Sequence, residues 1–301
     1  MIESILLTGE SLMEYGKLGH SDLSVSKIGM GCVTFGREVD HQTSLSILDH
    51  AFENGITLFD TAEAYGQGAS ESVLGDWMSS RGVRDQIVLA TKVTGTLTRE
   101  RIISSADASL KRLQTDRVDL FQTHIWDEST PLEETLSALT QLVDQGKVRS
   151  IGCSNYSSEQ LSAALALSAD TGLSRMAAVQ PPYNLVQRDI EADLLPLCSS
   201  ESIGVVSYSP LAAGFLTGKY RAGQAVPQGS RFDVIPGHQD IYFTGRGYQI
   251  LEQLDEDSRK AGRSHVQLAL SWVLKQPGIT SVLVGARNEG QVNQALAACD
   301  S

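Results

Sequence analysis

The feature of this chain that most limits its fold is an alternation of short apolar runs with stretches of helical periodicity, repeated eight times. Candidate strands lie at Lys27–Met30, Thr57–Phe59, Ile87–Thr91, Val118–Thr123, Arg149–Gly152, Ala177–Gln180, Val205–Tyr208 and Ser281–Val284. Between and after them, helical spacing runs over Gln42–Glu53, Glu71–Met78, Arg99–Leu113, Leu132–Asp144, Ser158–Ser168, Ile190–Cys198, His265–Lys275 and Glu289–Ala298. Strands separated by helices become parallel neighbours in one sheet, because only a crossover can return the chain to the same edge. Eight such units in about 250 residues match a closed α/β (β/α)8 TIM barrel better than an open doubly wound sheet.

Local signals punctuate the units. Thr130-Pro131 reads as a cap residue followed by a first-turn proline, and Ser157-Ser158-Glu159 supplies hydroxyls and an early acid. Gly55, Gly146 and Gly172 mark ends where a left-handed residue is needed. Ahead of the first unit, Met13–Ser26 reads as two short strands around the polar turn Gly19–Asp22, an N-terminal β-hairpin cap. Residues 1–12 read as an extension without the positive flank of a signal peptide, and 13–301 as a single barrel. The longest break in the pattern, Ala212–Gly247, carries Pro227 and Pro236 and is expected as a loop over the barrel mouth.

With 36 acidic and 24 basic side chains the chain carries a formal charge of −12, which repels nucleic acid and anionic membranes. A bound phosphate therefore needs local basic groups. No apolar run is long enough to span a bilayer. The four cysteines, Cys32, Cys153, Cys198 and Cys299, lack close metal-ligand spacing, so no metal is expected and reduced thiols in a cytoplasmic setting are. Nothing in the pattern fixes an oligomeric state.

Chemistry concentrates where strands end. Asp60, Lys92 and His124 each sit at or just past the end of an apolar run, and Tyr65 follows Asp60 closely. In parallel α/β folds the carboxyl ends of the strands form the active face, so these side chains emerge together. Each taken singly has an ordinary structural role as cap, ion pair, rim aromatic or satisfied histidine. Together they form a proton-transfer set: a tyrosine to protonate an alkoxide, a lysine to make that phenol more acidic, an aspartate to hold the lysine, and a histidine to orient a carbonyl. The set lacks a reductant.

At these residues the chain resembles the aldo-keto reductase family. The resemblance runs through Phe59-Asp60-Thr61-Ala62-Glu63-Ala64-Tyr65-Gly66, Thr91-Lys92-Val93 and Gln122-Thr123-His124-Ile125-Trp126-Asp127. It continues through Lys147 to Asn155, Gln180-Pro181-Pro182-Tyr183-Asn184, Tyr208-Ser209-Pro210-Leu211 and Gly285-Ala286-Arg287, in unbroken order from Met13 to the end.

The resemblance implies catalytic roles for Asp60, Tyr65, Lys92 and His124 and a nicotinamide dinucleotide held without a Gly-x-Gly-x-x-Gly turn. It implies Ser154, Asn155 and Gln180 on the carboxamide and Tyr208 stacked on the nicotinamide. Ser209, Leu211 and Lys219 would line the pyrophosphate, with Arg231 closing over it and Arg287 at a 2′-phosphate. Gly31, Cys32, Asp60, Pro210, Gly285 and Gln291 complete the implied cofactor contacts. Arg287 favours NADP(H), with NAD(H) as the alternative.

Departures are visible too. Gln294 and Ala295 stand where relatives often have an acid and an asparagine, Val33 stands where a tryptophan is common, and the C-terminal segment after the last helix is short. Val33, Trp126 and the long loop are expected to shape an open pocket for a small carbonyl or alcohol. The competing readings are a Schiff-base lyase using Lys92 and a non-catalytic dinucleotide-binding regulatory subunit.

Overall fold

The computed structural model describes residues 13–299. The expected extension at residues 1–12 lies outside the described residues.

Tyr15–Lys17 (β1) and Ser24–Ser26 (β2) form the expected antiparallel hairpin. Eight parallel strands follow: Ile28–Gly31 (β3), Leu58–Asp60 (β4), Val88–Val93 (β5), Val118–Thr123 (β6), Val148–Ser154 (β7), Met176–Gln180 (β8), Gly204–Ser207 (β9) and Ile279–Val284 (β10). They close in the order β10-β3-β4-β5-β6-β7-β8-β9, so no strand edge is left open.

Alternation along each strand divides the core in two. Leu58, Val88, Ala90, Leu120, Ala178, Val206 and Leu283 meet inside the barrel. Phe59, Leu89, Phe121, Ile151, Val179 and Val282 face outward under the helices. Burial on both faces explains why the strands read as continuous apolar runs. Leu18, Leu23 and Val25 of the hairpin join the inner cluster and plug the amino end of the barrel. The turn needs Gly19, because φ is +59° and a Cβ would come within 2.4 Å of Ala177 O.

The outer layer begins with His41–Glu53 (α1), Ala69–Arg81 (α2), Arg99–Leu113 (α3), Leu132–Asp144 (α4), Ser158–Thr171 (α5) and Leu194–Ser200 (α6). Ser157 caps α5 in a reciprocal capping box with Gln160. Two local expectations are corrected. Pro131 is the cap of α4 rather than its first residue, because Thr130 turns its hydroxyl to Asp127 (2.6 Å) instead of to the helix. The segment expected as one helix from Ile190 to Cys198 breaks at Asp193, whose carboxylate accepts from Leu194 N and starts α6 there.

The long excursion after β9 is not a plain loop. It contains a 3-10 turn at Ala212–Thr217, two single-turn helices, Arg231–Val234 (α7) and Gln239–Tyr242 (α8), and then Gly245–Ala261 (α9), a helix absent from the sequence reading. Phe215, Tyr220, Phe232, Tyr242 and Phe243 pack into an aromatic core of their own, with ring centroids 5.0–6.1 Å apart. His265–Leu274 (α10) and Glu289–Leu296 (α11) complete the layer. No helix among the described residues is long and apolar enough to cross a membrane.

Candidate active site

Asp60 ends β4, Lys92 lies near the end of β5, and His124 follows β6, its N–H still paired to Val93 O at 2.8 Å. The three inward positions converge at the carboxyl mouth. Tyr65 is brought to them by a tight turn in which Gly66, Gln67 and Gly68 all take positive φ (57°, 55° and 90°). Two anchors hold that turn: Ser70 bonds both Thr61 Oγ1 (2.8 Å) and Cys32 O (2.7 Å), while the Glu63 carboxylate accepts from Thr94 N, Ser105 and Arg101.

The Lys92 ammonium is fully buried and donates to Asp60 Oδ2 at 2.6 Å, Thr61 O at 2.8 Å and Tyr65 Oη at 3.4 Å. Those three acceptors match its three protons. The other Asp60 oxygen accepts from Gln180 Nε2 at 2.8 Å. The Tyr65 and His124 rings meet edge to face, centroids 5.8 Å apart.

Burial works against the Lys92 charge, but Asp60 and then Tyr65 outweigh it, so its pKa is raised and the ammonium persists. The expected acidification of Tyr65 is not what the site produces. Burial raises the phenol's pKa, and although Lys92 pulls it down, Asp60 offsets part of that pull. The phenol is therefore protonated at neutral pH, and the ammonium's service is to the phenolate that a proton transfer would leave. Burial, then the Lys92 charge, lowers His124 to about 4, so its imidazole is neutral.

Above this floor lies a cavity of about 510 Å³. Gly31, Asp60, Tyr65, His124, Ser154, Asn155, Gln180 and Tyr208 line its inner end; Ser209, Pro210, Leu211, Lys219, Arg231, Gly285, Arg287 and Gln291 line the rest. Lys92 lies beneath that floor. Cys32 departs from the expected set: strand alternation turns it away from the inward-facing Gly31 into the outer core, where its thiol bonds Met30 O. Val33 is in the wall, but Trp126, expected in the pocket, packs edge-on against Tyr156 at 5.1 Å instead.

The inner end is cross-tied. Ser154 Oγ donates to Gln180 O (2.9 Å), Asn155 Nδ2 to His124 O (3.0 Å), and Tyr208 Oη to Asn155 Oδ1 (2.7 Å). Asn155 holds φ +59°, a conformation that asparagine tolerates better than most residues. The outer end is electropositive and incompletely satisfied. Arg231 Nη1 and the hydroxyl of its neighbour Ser230 are buried without a partner. Burial, then Arg37 and more weakly Arg287, lowers the Arg231 pKa, while Glu38 offsets part of this. An anion would satisfy these donors, and the curled backbone at Ser209, Ala212 and Ala213, all with positive φ, is of the kind that turns amides toward one. The residues present fit a dinucleotide phosphate.

The aldo/keto reductase family profile matches residues 27–301. The chain belongs to this family. It is 36% identical over 297 residues to the aldo-keto reductase YhdN of Bacillus subtilis, covering 93% of this chain and 87% of that one. It is 34% identical to a probable voltage-gated potassium channel subunit beta of Arabidopsis thaliana (96% of this chain, 92% of that one). It is 32% identical to protein tas of Escherichia coli (93% and 91%).

The family resemblance did not point to every residue of the cavity wall. Thr34, Ala213, Gly214, Thr217, Ser230, His238, Val266 and Leu270 line it as well. Val266 and Leu270, four apart on α10, carried only a helix signal, and nothing in the sequence marked Ala212 and Ala213 for left-handed backbone. Gln294 and Ala295, noted as departures, lie in the wall.

Proposed function

We propose that this protein reduces an aldehyde or ketone to an alcohol, reversibly, with NADP(H). The observation that carries the reading is the protonated Tyr65 hydroxyl 3.4 Å from a buried, Asp60-anchored ammonium on the floor of a cavity that ends in unpaired guanidinium. When bound, the reduced dinucleotide supplies the hydride. Tyr65 passes its proton to the carbonyl oxygen, and the Lys92 ammonium stabilises the phenolate left behind. Asp60, itself tied to Gln180, keeps that ammonium from swinging away. Neutral His124 donates an N–H to the same oxygen and fixes the carbonyl's orientation. Ser154, Asn155 and Gln180 would hold the dinucleotide's carboxamide and Tyr208 would offer a ring face, while Lys219, Arg231 and Arg287 would supply the local positive charge that a net acidic chain needs for phosphate. The acidic surface charge and the buried thiols of Cys32, Cys153 and Cys198 suit a cytoplasmic setting.

The test is a panel of carbonyls and alcohols followed by cofactor absorbance with both dinucleotides. Tyr65→Phe should lower turnover on the order of 10²–10⁴-fold while leaving NADPH affinity unchanged. Normal turnover in that variant refutes the assignment.

A second reading, a dinucleotide-binding regulatory subunit, is supported by relatives named as probable potassium channel beta subunits, from Arabidopsis thaliana and from rice at 33% identity. Tight NADPH binding with no turnover across the panel would select it. A Schiff-base role for Lys92 is opposed by its raised pKa and three hydrogen bonds, since imine formation needs a free neutral amine.

A further inference from the structure

Gln122 is completely buried, yet neither its amide nitrogen nor its amide oxygen has a hydrogen-bond partner. Buried carboxamides are rarely left so, and when they are, a role or an enclosed water is the usual reason. Its place in the barrel is fixed by register. Leu120 faces the inner core, so Gln122 and His124, two and four residues on, share that inward face, while Phe121 belongs to the outer layer. Laterally, Gln122 stands between Lys92 and Gly152. Gly152 makes the room: a Cβ there would lie 3.3 Å from Gln122 Cγ and 2.8 Å from Ala178 O.

One further group on this face is equally unpaired. His124 Nδ1 is buried and has no partner. Lys92 offers Gln122 nothing, because its three protons go to Asp60, Thr61 and Tyr65. Same-face neighbours on a strand are roughly 6.6 Å apart at Cα, a gap that a glutamine side chain and one enclosed water together span.

The consequence is chemical. A neutral imidazole carries one proton, and whichever nitrogen is hydrogen-bonded as an acceptor leaves the proton on the other. For His124 to donate from Nε2 to a carbonyl, Nδ1 must accept. We propose that Gln122 is the positioning residue that sets this tautomer, its amide N–H donating to one enclosed water that in turn donates to His124 Nδ1. The inference rests on the reading of His124 as carbonyl donor.

The test uses the full-length protein without dinucleotide, labelled with ¹⁵N-histidine. Long-range proton–nitrogen correlation spectra distinguish the two tautomers, and His124→Asn identifies the His124 signals among the six histidines. Wild type should show the Nε2–H form. Gln122→Met, similar in length but without a donor, should populate the Nδ1–H form and lower kcat by about tenfold or more, with NADPH affinity unchanged. Gln122→Glu, whose ionised carboxylate can only accept, should drive His124 further to Nδ1–H. A wild-type protein already in the Nδ1–H form overturns the proposal, as does an Nε2–H population unmoved in both variants. If Gln122→Met fails to fold, the wild-type spectrum and Gln122→Glu decide. A tautomer that depends on Gln122 in a protein that reduces no carbonyl would leave this inference standing and remove only the reductase reading.

Discussion

The Asp60–Lys92 pair is the point at which stability and chemistry can be separated. Both groups are buried, their charged atoms are 2.6 Å apart, and each has further partners in Thr61, Tyr65 and Gln180. Lys92→Met removes the cation and leaves a carboxylate with only the Gln180 amide; Asp60→Asn leaves an ammonium with neutral acceptors. Breaking a buried pair on one side costs about 3–5 kcal/mol, whereas replacing both charges by neutral groups of similar volume is often close to neutral. Urea unfolding should therefore show each single variant destabilised by roughly that amount, which at a slope near 3 kcal/mol/M lowers the midpoint by about 1 M or more. The double variant should recover most of the loss and remain inactive. If the singles unfold with the wild-type midpoint, or the double is as unstable as the sum of the singles, Asp60 and Lys92 are not energetically coupled.

Three further outcomes follow from the same geometry. His124 is depressed from 6.5 to about 4, so between those values the unfolded chain binds the extra proton. Stability should then fall as pH drops from about 6.5 to about 4, by on the order of 2 kcal/mol after allowing for solvent at the cavity, and His124→Gln should flatten the slope seen in denaturation across that window. Gly75→Ala in α2 gains about 1 kcal/mol of helix propensity, but the new Cβ would lie 2.4 Å from Arg112 O. The clash between α2 and α3 should win, giving a net loss of about 1–3 kcal/mol in thermal or chemical unfolding. Because burial raises the Tyr65 pKa, carbonyl reduction should hold steady across neutral pH while alcohol oxidation, which needs the phenolate, climbs as pH rises. Steady-state rates in both directions check this, and an oxidation rate independent of pH up to 10 contradicts it.

The barrel was legible because its signals are local and repeated. Apolar runs bounded by helical periodicity, such as Val118–Thr123 between α3 and α4, located all eight strands, and the inward position of each polar residue followed from where its run ended. The excursion after β9 was not legible for the opposite reason. Its order comes from Phe215, Tyr220, Phe232, Tyr242 and Phe243 meeting across almost thirty residues of chain, and its backbone takes positive φ at the non-glycine positions Ser209, Ala212 and Ala213 before it reaches Gly214. The long helix α9 did carry a signal: Tyr248, Leu251 and Leu254 share a face, and Thr244 caps it through Gly247 N. Cys32 and Trp126 show a different limit, since adjacency to a site residue in sequence places a strand or loop neighbour on the opposite side as readily as on the same one.

The charges in the cavity are sorted along its length, and that sorting bears on how the site could work. At the floor, the ions of the proposed catalytic set are Asp60 and Lys92, which cancel; Tyr65 and His124 are both neutral at pH 7. On the proposed reading, a carbonyl arriving there would meet two neutral donors and feel little net field until negative charge developed on its oxygen, when the ammonium next to Tyr65 would become effective. At the other end Lys219, Arg231 and Arg287 line the cavity, and the buried Arg231 Nη1 has no partner among the described groups. On the same reading, a ligand with an anionic tail and a neutral reactive head would be oriented by that asymmetry before any specific contact formed, because the reverse pose would place its charge over the cancelled pair and leave the guanidinium unpaired.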